Sequence, residues 1–177
     1  MTRITRPHLM AFVNVPSVVL AVAAATTPAR MLDAVALLNA EYRLPIQGSS
    51  SVQVRDGKWA VENAQGRQSL TVLDLNLHDD LDGDGLPDAV VQLVYWGGGS
   101  GVFNYLAAVI NDQGQPLHVA SAELGDRVQV KSVTVKNGRI TVRLVVQGAD
   151  DPACCPMVPA TRVFSLVKNH LVEVSGA

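Results

Sequence analysis

The sequence predicts an α+β fold that is mostly β: an antiparallel, meandering sheet of about seven to nine strands with one N-terminal helix packed on it. Three observations lead there. Apolar and polar residues alternate through most of the chain, two-residue turn dipeptides separate the alternating runs, and a single segment spaces its apolar residues as a helix does.

That segment comes first. Thr27-Pro28 offers a hydroxyl N-cap followed by proline at the first helical position, and Met31, Val35, Leu38 and Tyr42 follow at helical spacing. Residues 28–41 are therefore predicted as one amphipathic helix, which Leu44-Pro45 stops. Asp56-Gly57 then separates SVQVR from KWAV, a two-residue hairpin signal. SLTVLDLNL alternates Leu73, Leu75 and Leu77 against Asp74 and Asn76, and AVVQLVYW is rich in β-branched and aromatic residues. Both read as strands. VFNYLAAVIN is another, Asn137-Gly138 joins VQVKSVTVK to RITVRLVVQ, and TRVFSLV and LVEV form a last pair turning near Asn169-His170.

Between the strands at 69–77 and 89–96 lies the most chemically specific stretch, Asp-Leu-Asp-Gly-Asp-Gly-Leu-Pro-Asp at residues 80–88. Ca²⁺ takes six to eight oxygen ligands at about 2.3–2.6 Å, and this loop supplies them in order. The expected ligands are the carboxylates of Asp80, Asp82, Asp84 and Asp88 and the main-chain carbonyl of Leu86, with Gly85 at the sharp turn. An EF-hand would place a bidentate Glu at the twelfth position and a helix after it; here Val91 stands there, inside a strand. The loop resembles the strand-flanked DxDxDGxxD loops of integrin-type repeats. It occurs once, so a propeller is not expected. The competing reading is an Asp/Gly turn whose side chains cap their own backbone amides.

The first residues look like an export signal. Arg3 and Arg6 precede an apolar stretch, and Ala21-Val22-Ala23 is a small-x-small junction, so residues 1–23 are expected to leave by cleavage near Ala23 or Ala25. Asn14 and Pro16 interrupt the apolar run, which argues against a membrane span, and the absence of a cysteine at the junction argues against a lipid anchor. Residues 24–177 are then one globular domain in a periplasmic or secreted protein. The 177-residue chain carries 16 acids against 14 Lys and Arg, a formal charge of −2, and loss of Arg3 and Arg6 makes it more acidic. With its Lys and Arg scattered along the sequence, it is a poor candidate for nucleic acid or an anionic membrane surface.

Cys154 and Cys155 are the only thiols and sit in DPACCPMVP. Export favours a disulfide between them. Two reduced thiols are the alternative, and the missing C-x-x-C spacing argues against thiol oxidoreductase chemistry.

Catalytic signatures are sparse. His78, His118 and His170 are dispersed with no H-E-x-x-H; His78 stands close enough to the acidic loop to reach an ion's surroundings, but the preferred reading is a solvent-facing loop histidine. Gly97-Gly98-Gly99-Ser100-Gly101 lacks the following helix and Lys-Ser/Thr ending of a phosphate loop, and Val102 breaks a G-x-S-x-G elbow. Asp150-Asp151 reads as a turn before Pro152, Arg127 as a partner for Asp126 or a loop carbonyl, and Trp59, Trp96, Phe103 and Tyr105 as packing residues.

The ordered segments DLDGDGLPDAVV, GGGSGVFNYLAAVIN, LGDRVQVKSVTVKNGRITV and VQGADDPACCP followed by TRVFSL resemble small bacterial envelope proteins of the LppP/LprE lipoprotein type and related exported proteins of uncharacterised function. The resemblance covers roughly residues 70–170 and implies export and a non-catalytic role. It brings no catalytic residues, and this chain lacks the lipid-carrying cysteine of the lipoprotein members. The expectation is an exported, calcium-binding, non-enzymatic envelope module whose partner is an envelope protein, peptide or glycan. A small metal-dependent hydrolase of the periplasm is the alternative.

Overall fold

The computed structural model describes residues 31–43, 51–64, 66–152 and 154–174. The expected export signal at residues 1–23, the expected Thr27-Pro28 helix start and the expected Leu44-Pro45 stop lie outside these residues.

Among the described residues the chain is mostly β, as expected, with antiparallel pairing throughout and one short helix. Helix α1 (Ala34–Leu37) is followed by β1 (Glu41–Arg43) and β2 (Ser51–Gln53), which pair as a ribbon. A five-stranded meander follows: β3 (Lys58–Asn63), β4 (Gly66–Asp79), β5 (Asp88–Trp96), β6 (Val102–Asp112) and β7 (Gln115–Asp126). A second, four-stranded meander comprises β8 (Gln129–Lys136), β9 (Arg139–Val146), β10 (Val158–Val167) and β11 (His170–Val174). The strands thus divide into two main sheets and a ribbon where the sequence suggested a single sheet.

Two apolar cores explain the division. Leu32, Leu37, Tyr42, Val52 and Val54 pack on Val91, Leu93, Tyr105, Ala107 and Val109, one face of the five-stranded sheet. On its other face Val90, Leu106, Ala108 and Ile110 meet Ile140, Val142, Leu144 and Phe164 of the four-stranded sheet. Side chains alternate across a strand, so β5 and β6, at the middle of three layers, must be apolar on both faces. Their near-continuous burial follows.

Helix α1 is far shorter than the predicted 28–41. Asp33 is its N-cap, its Oδ1 accepting the Ala36 N–H at 2.7 Å. The chain then turns at once into β1, because Tyr42 is drawn into the first core and its hydroxyl donates to the Leu37 carbonyl at 2.8 Å. Met31 and Val35 of the proposed apolar stripe are 56 % and 71 % exposed, whereas Leu32 and Leu37 are buried.

Asp56-Gly57 does form a turn with both residues at positive φ, but it closes only the Arg55–Lys58 bridge, and the strands on either side belong to different sheets. Gly57 is the crossing point. Its N–H donates to the Leu38 carbonyl and its carbonyl accepts from Val72, each at 2.7 Å. Asn137-Gly138 joins β8 to β9 as predicted, with Lys136 opposite Arg139. No helix among the described residues is long and apolar enough to cross a membrane.

Candidate metal centre

The acidic loop links β4 to β5 at the end of the five-stranded sheet, where Asp79 pairs with Asp88. Its path follows from its own side chains. Asp80 accepts the Gly83 N–H on Oδ1 at 2.7 Å and the Gly85 N–H on Oδ2 at 3.0 Å. Asp82 accepts from Asp84 at 3.1 Å and Asp84 from Leu86 at 2.7 Å. Gly83 and Gly85 both turn through positive φ, which glycine tolerates without steric penalty.

The loop is held to the core at two points. Leu81 is 7 % exposed and packs between the two sheets. Asp88 is fully buried; its Oδ2 accepts the Leu81 N–H and its Oδ1 the Asn111 N–H, each at 2.8 Å. Asn111, at the end of β6, also donates to the Pro87 carbonyl at 3.2 Å. Asp79 reaches the second sheet, accepting the Gly138 N–H at 3.1 Å. One hairpin end thereby ties together β4, β5, β6 and the β8–β9 turn.

Three of the expected ligands converge. One carboxylate oxygen from each of Asp80, Asp82 and Asp88 lies within 4.8 Å of the others. Asp84 is outside this group. The three carboxylates form an acidic group that can hold a metal ion. Hydrogen bonding to backbone amides does not exhaust them, since each ionised carboxylate offers about four lone-pair positions. Burial pushes the Asp88 carboxyl up from its ordinary range; its two backbone hydrogen bonds oppose this, and the charges of Asp82 and Asp84 add to it. A cation among these groups removes the repulsion and the desolvation penalty together.

The other sequence candidates lie elsewhere. His78 Nδ1 is buried without a hydrogen-bond partner. Arg127 donates to the Ser100 carbonyl at 2.9 Å and pairs with Asp126 at 3.2 Å, so it holds the Gly-rich loop against the β7–β8 turn. Asp151 folds the segment before the cysteines, accepting from Gly148 at 2.8 Å and Met157 at 2.7 Å. Cys154 and Cys155 are exposed and paired at disulfide distance, their Cα atoms 3.8 Å apart. These segments border a shallow cleft of about 550 Å³ whose Asp126, Arg127, Gln147 and Asp151 all engage neighbouring backbone or one another. Trp59 and Phe103 pack against the first core, and Tyr105 is part of it.

His118 is the group that the sequence did not single out. It is 6 % exposed on β7; its Nδ1 accepts the Arg43 N–H at 2.9 Å, and its ring lies 5.4 Å from that of Tyr42. Nε2 therefore carries the proton and faces the Ala120 carbonyl at 3.1 Å and the Ser121 hydroxyl at 2.9 Å. Burial lowers its pKa to about 4, so the ring is neutral and fastens β1 to β7.

No family model, curated protein or solved structure matches the chain.

Proposed function

We propose that the protein is an exported, calcium-binding, non-enzymatic envelope module that binds a protein, peptide or cell-wall component. The observation that carries this reading is the convergence of Asp80, Asp82 and Asp88, one of them fully buried. In this reading Asp84 and the Leu86 carbonyl complete the oxygen set as the loop tightens on the ion. The role is structural. A catalytic ion needs an open coordination position, whereas a loop supplying five protein ligands, with carboxylates able to bind through both oxygens, leaves little vacancy at its ion. Asp88, with both oxygens already bonded to backbone amides, suits an anchor better than a base. The leader-like first residues and the adjacent cysteines support export to an oxidising compartment, periplasmic or extracellular.

Calorimetric melts with calcium and with a chelator test the ion. An exported module binds calcium with a Kd of about 10⁻⁴–10⁻³ M, and at about 100 times Kd the folded state gains about 2.7 kcal/mol. The melting temperature is expected to rise by several degrees, and Asp82→Ala with Asp84→Ala is expected to remove the rise. Identical melting in calcium and chelator would overturn the reading.

A further inference from the structure

Basic residues scattered in the sequence are gathered by the fold onto one surface. The strands of the four-stranded sheet and the turns between β8 and β9 and between β10 and β11 hold six basic residues and a single acid, Glu173. Glu173 stands opposite Phe164, on the core side, and binds Arg162 there at 2.8 Å. Among the described residues the outer face is left with Lys131, Lys136, Arg139, Arg143 and the turn residue Lys168, all exposed, and no carboxylate. Among the described residues none of Lys136, Arg139, Arg143 and Lys168 is in an ion pair.

Register arranges them. Ser132, Arg143 and Thr161 stand side by side across β8, β9 and β10; Thr134, Thr141 and Val163 form the next such row, and Lys136, Arg139 and Ser165 a third. The two arginines, four residues apart on β9, are separated by about 13 Å. A shallow groove of about 510 Å³ crosses the face beside Lys131, Arg143, Pro159 and Thr161.

We infer that this face binds a linear acidic polysaccharide through its carboxylates. The inference deepens the binding-module reading, on which it rests for the envelope setting, and it is independent of the calcium loop. Planar guanidinium groups match carboxylates in a two-bond fork. The serine and threonine hydroxyls between them suit a hydrated, hydroxyl-rich chain. Among the described residues the face's one aromatic ring is the imidazole of His170 on the edge strand, opposite Val167, and it lacks the series of Trp, Tyr or Phe rings on which successive bases stack, which disfavours single-stranded nucleic acid. Its apolar residues are valines and Pro159 rather than the Trp, Phe or Leu that enter a bilayer, which disfavours a lipid surface.

The test is binding of the protein to hyaluronate, a linear uronate polymer, at low ionic strength in a chelator, so that calcium bridging cannot contribute. Binding is expected, and it is expected to weaken as salt screens the charges. Arg139→Gln with Arg143→Gln is expected to weaken it about tenfold, the combined worth of two exposed ion pairs, with the melting temperature unchanged. Asp82→Ala keeps every cation of the face and is expected to bind like the parent, so failure of the calcium reading shows in melts and failure of the face shows here. No binding at low salt, equal binding by the double variant, or equally tight binding to anionic vesicles or single-stranded DNA would overturn the inference.

Discussion

Asp88 and Asn111 join two strands that are already paired, by a bond outside the ladder: the Asp88 carboxylate accepts the Asn111 amide at 2.8 Å inside the protein. With Leu81 on the other oxygen, one side chain satisfies two buried donors. Asp88→Ala strands both, and each unsatisfied donor costs about 1–3 kcal/mol. A loss of roughly 3 kcal/mol is expected in denaturant titrations, in chelator as well as in calcium. Asp82→Ala, by contrast, is expected to leave stability in chelator within about 0.5 kcal/mol of the parent, because Asp82 is exposed and bonds only its own loop.

Magnesium separates the ions. It demands tight octahedral geometry and keeps its waters, so its stabilisation of the parent protein is expected to fall well below that of calcium at equal concentration. Melts in matched chloride salts check this, and equal shifts would point to general screening of the loop.

Acidification should act through His118. Its folded pKa of about 4 lies below the unfolded value of 6.5, so the unfolded chain takes up the proton first. The stability tied to the neutral ring is complete above pH 6.5 and is lost as the pH falls to about 4, to a total of roughly 3 kcal/mol. Asp88, whose carboxyl is raised, works the other way: its contribution is complete below the ordinary carboxylate value of 3.8 and is lost as the pH rises through the folded value. The difference between the parent and His118→Gln isolates the histidine. That difference should shrink from neutral pH toward about pH 4.

Gly57→Ala is expected to destabilise the protein by about 1–3 kcal/mol. A Cβ there would lie 2.8 Å from Leu38 Cδ2 and 3.0 Å from the Val72 carbonyl oxygen, at a φ of +73°. Gly83→Ala, also at positive φ but with nothing within 4 Å, carries only the backbone strain and should cost less.

For the cysteines, intact-mass measurement of protein recovered from its native compartment should show no alkylation until a reductant is added. A bridge between residues one position apart closes almost no loop, so its removal by Cys154→Ala with Cys155→Ala should change stability by no more than about 1 kcal/mol.

Much of this architecture could be read from alternation. The Asn137-Gly138 hairpin, the two strands flanking the acidic loop and the final pair of strands are where the residue pattern placed them. β7 was not, because bulges opposite Asn104/Tyr105 and Ala108/Val109 break its period, so its sequence shows no clean face. The helix was overestimated because Met31, Val35, Leu38 and Tyr42 satisfy helical spacing equally well when the last of them belongs to a ribbon. At the loop, the residue types named Asp80, Asp82 and Asp88, but nothing local says that Asp88 is gripped by Asn111, a partner 23 positions away. His118 was silent for the same reason: its partners lie at Arg43 and around its own bulged strand.

The double burial of β6 removes a safeguard that most strands possess. Where one face is wet, a slip by one residue drives polar side chains inward and is rejected. In β6 such a slip would merely exchange one apolar set for another, Leu106, Ala108 and Ile110 for Tyr105, Ala107 and Val109. Discrimination must then come from the strand's ends. Asn104 is 5 % exposed and accepts from Gln92 at 2.9 Å, while Asn111, 1 % exposed, accepts from Gly114 at 2.7 Å. These two amides act as pegs: any other alignment leaves one of them buried with nothing to hold, so the threading of the central strand is enforced by its two buried polar residues rather than by its many apolar ones.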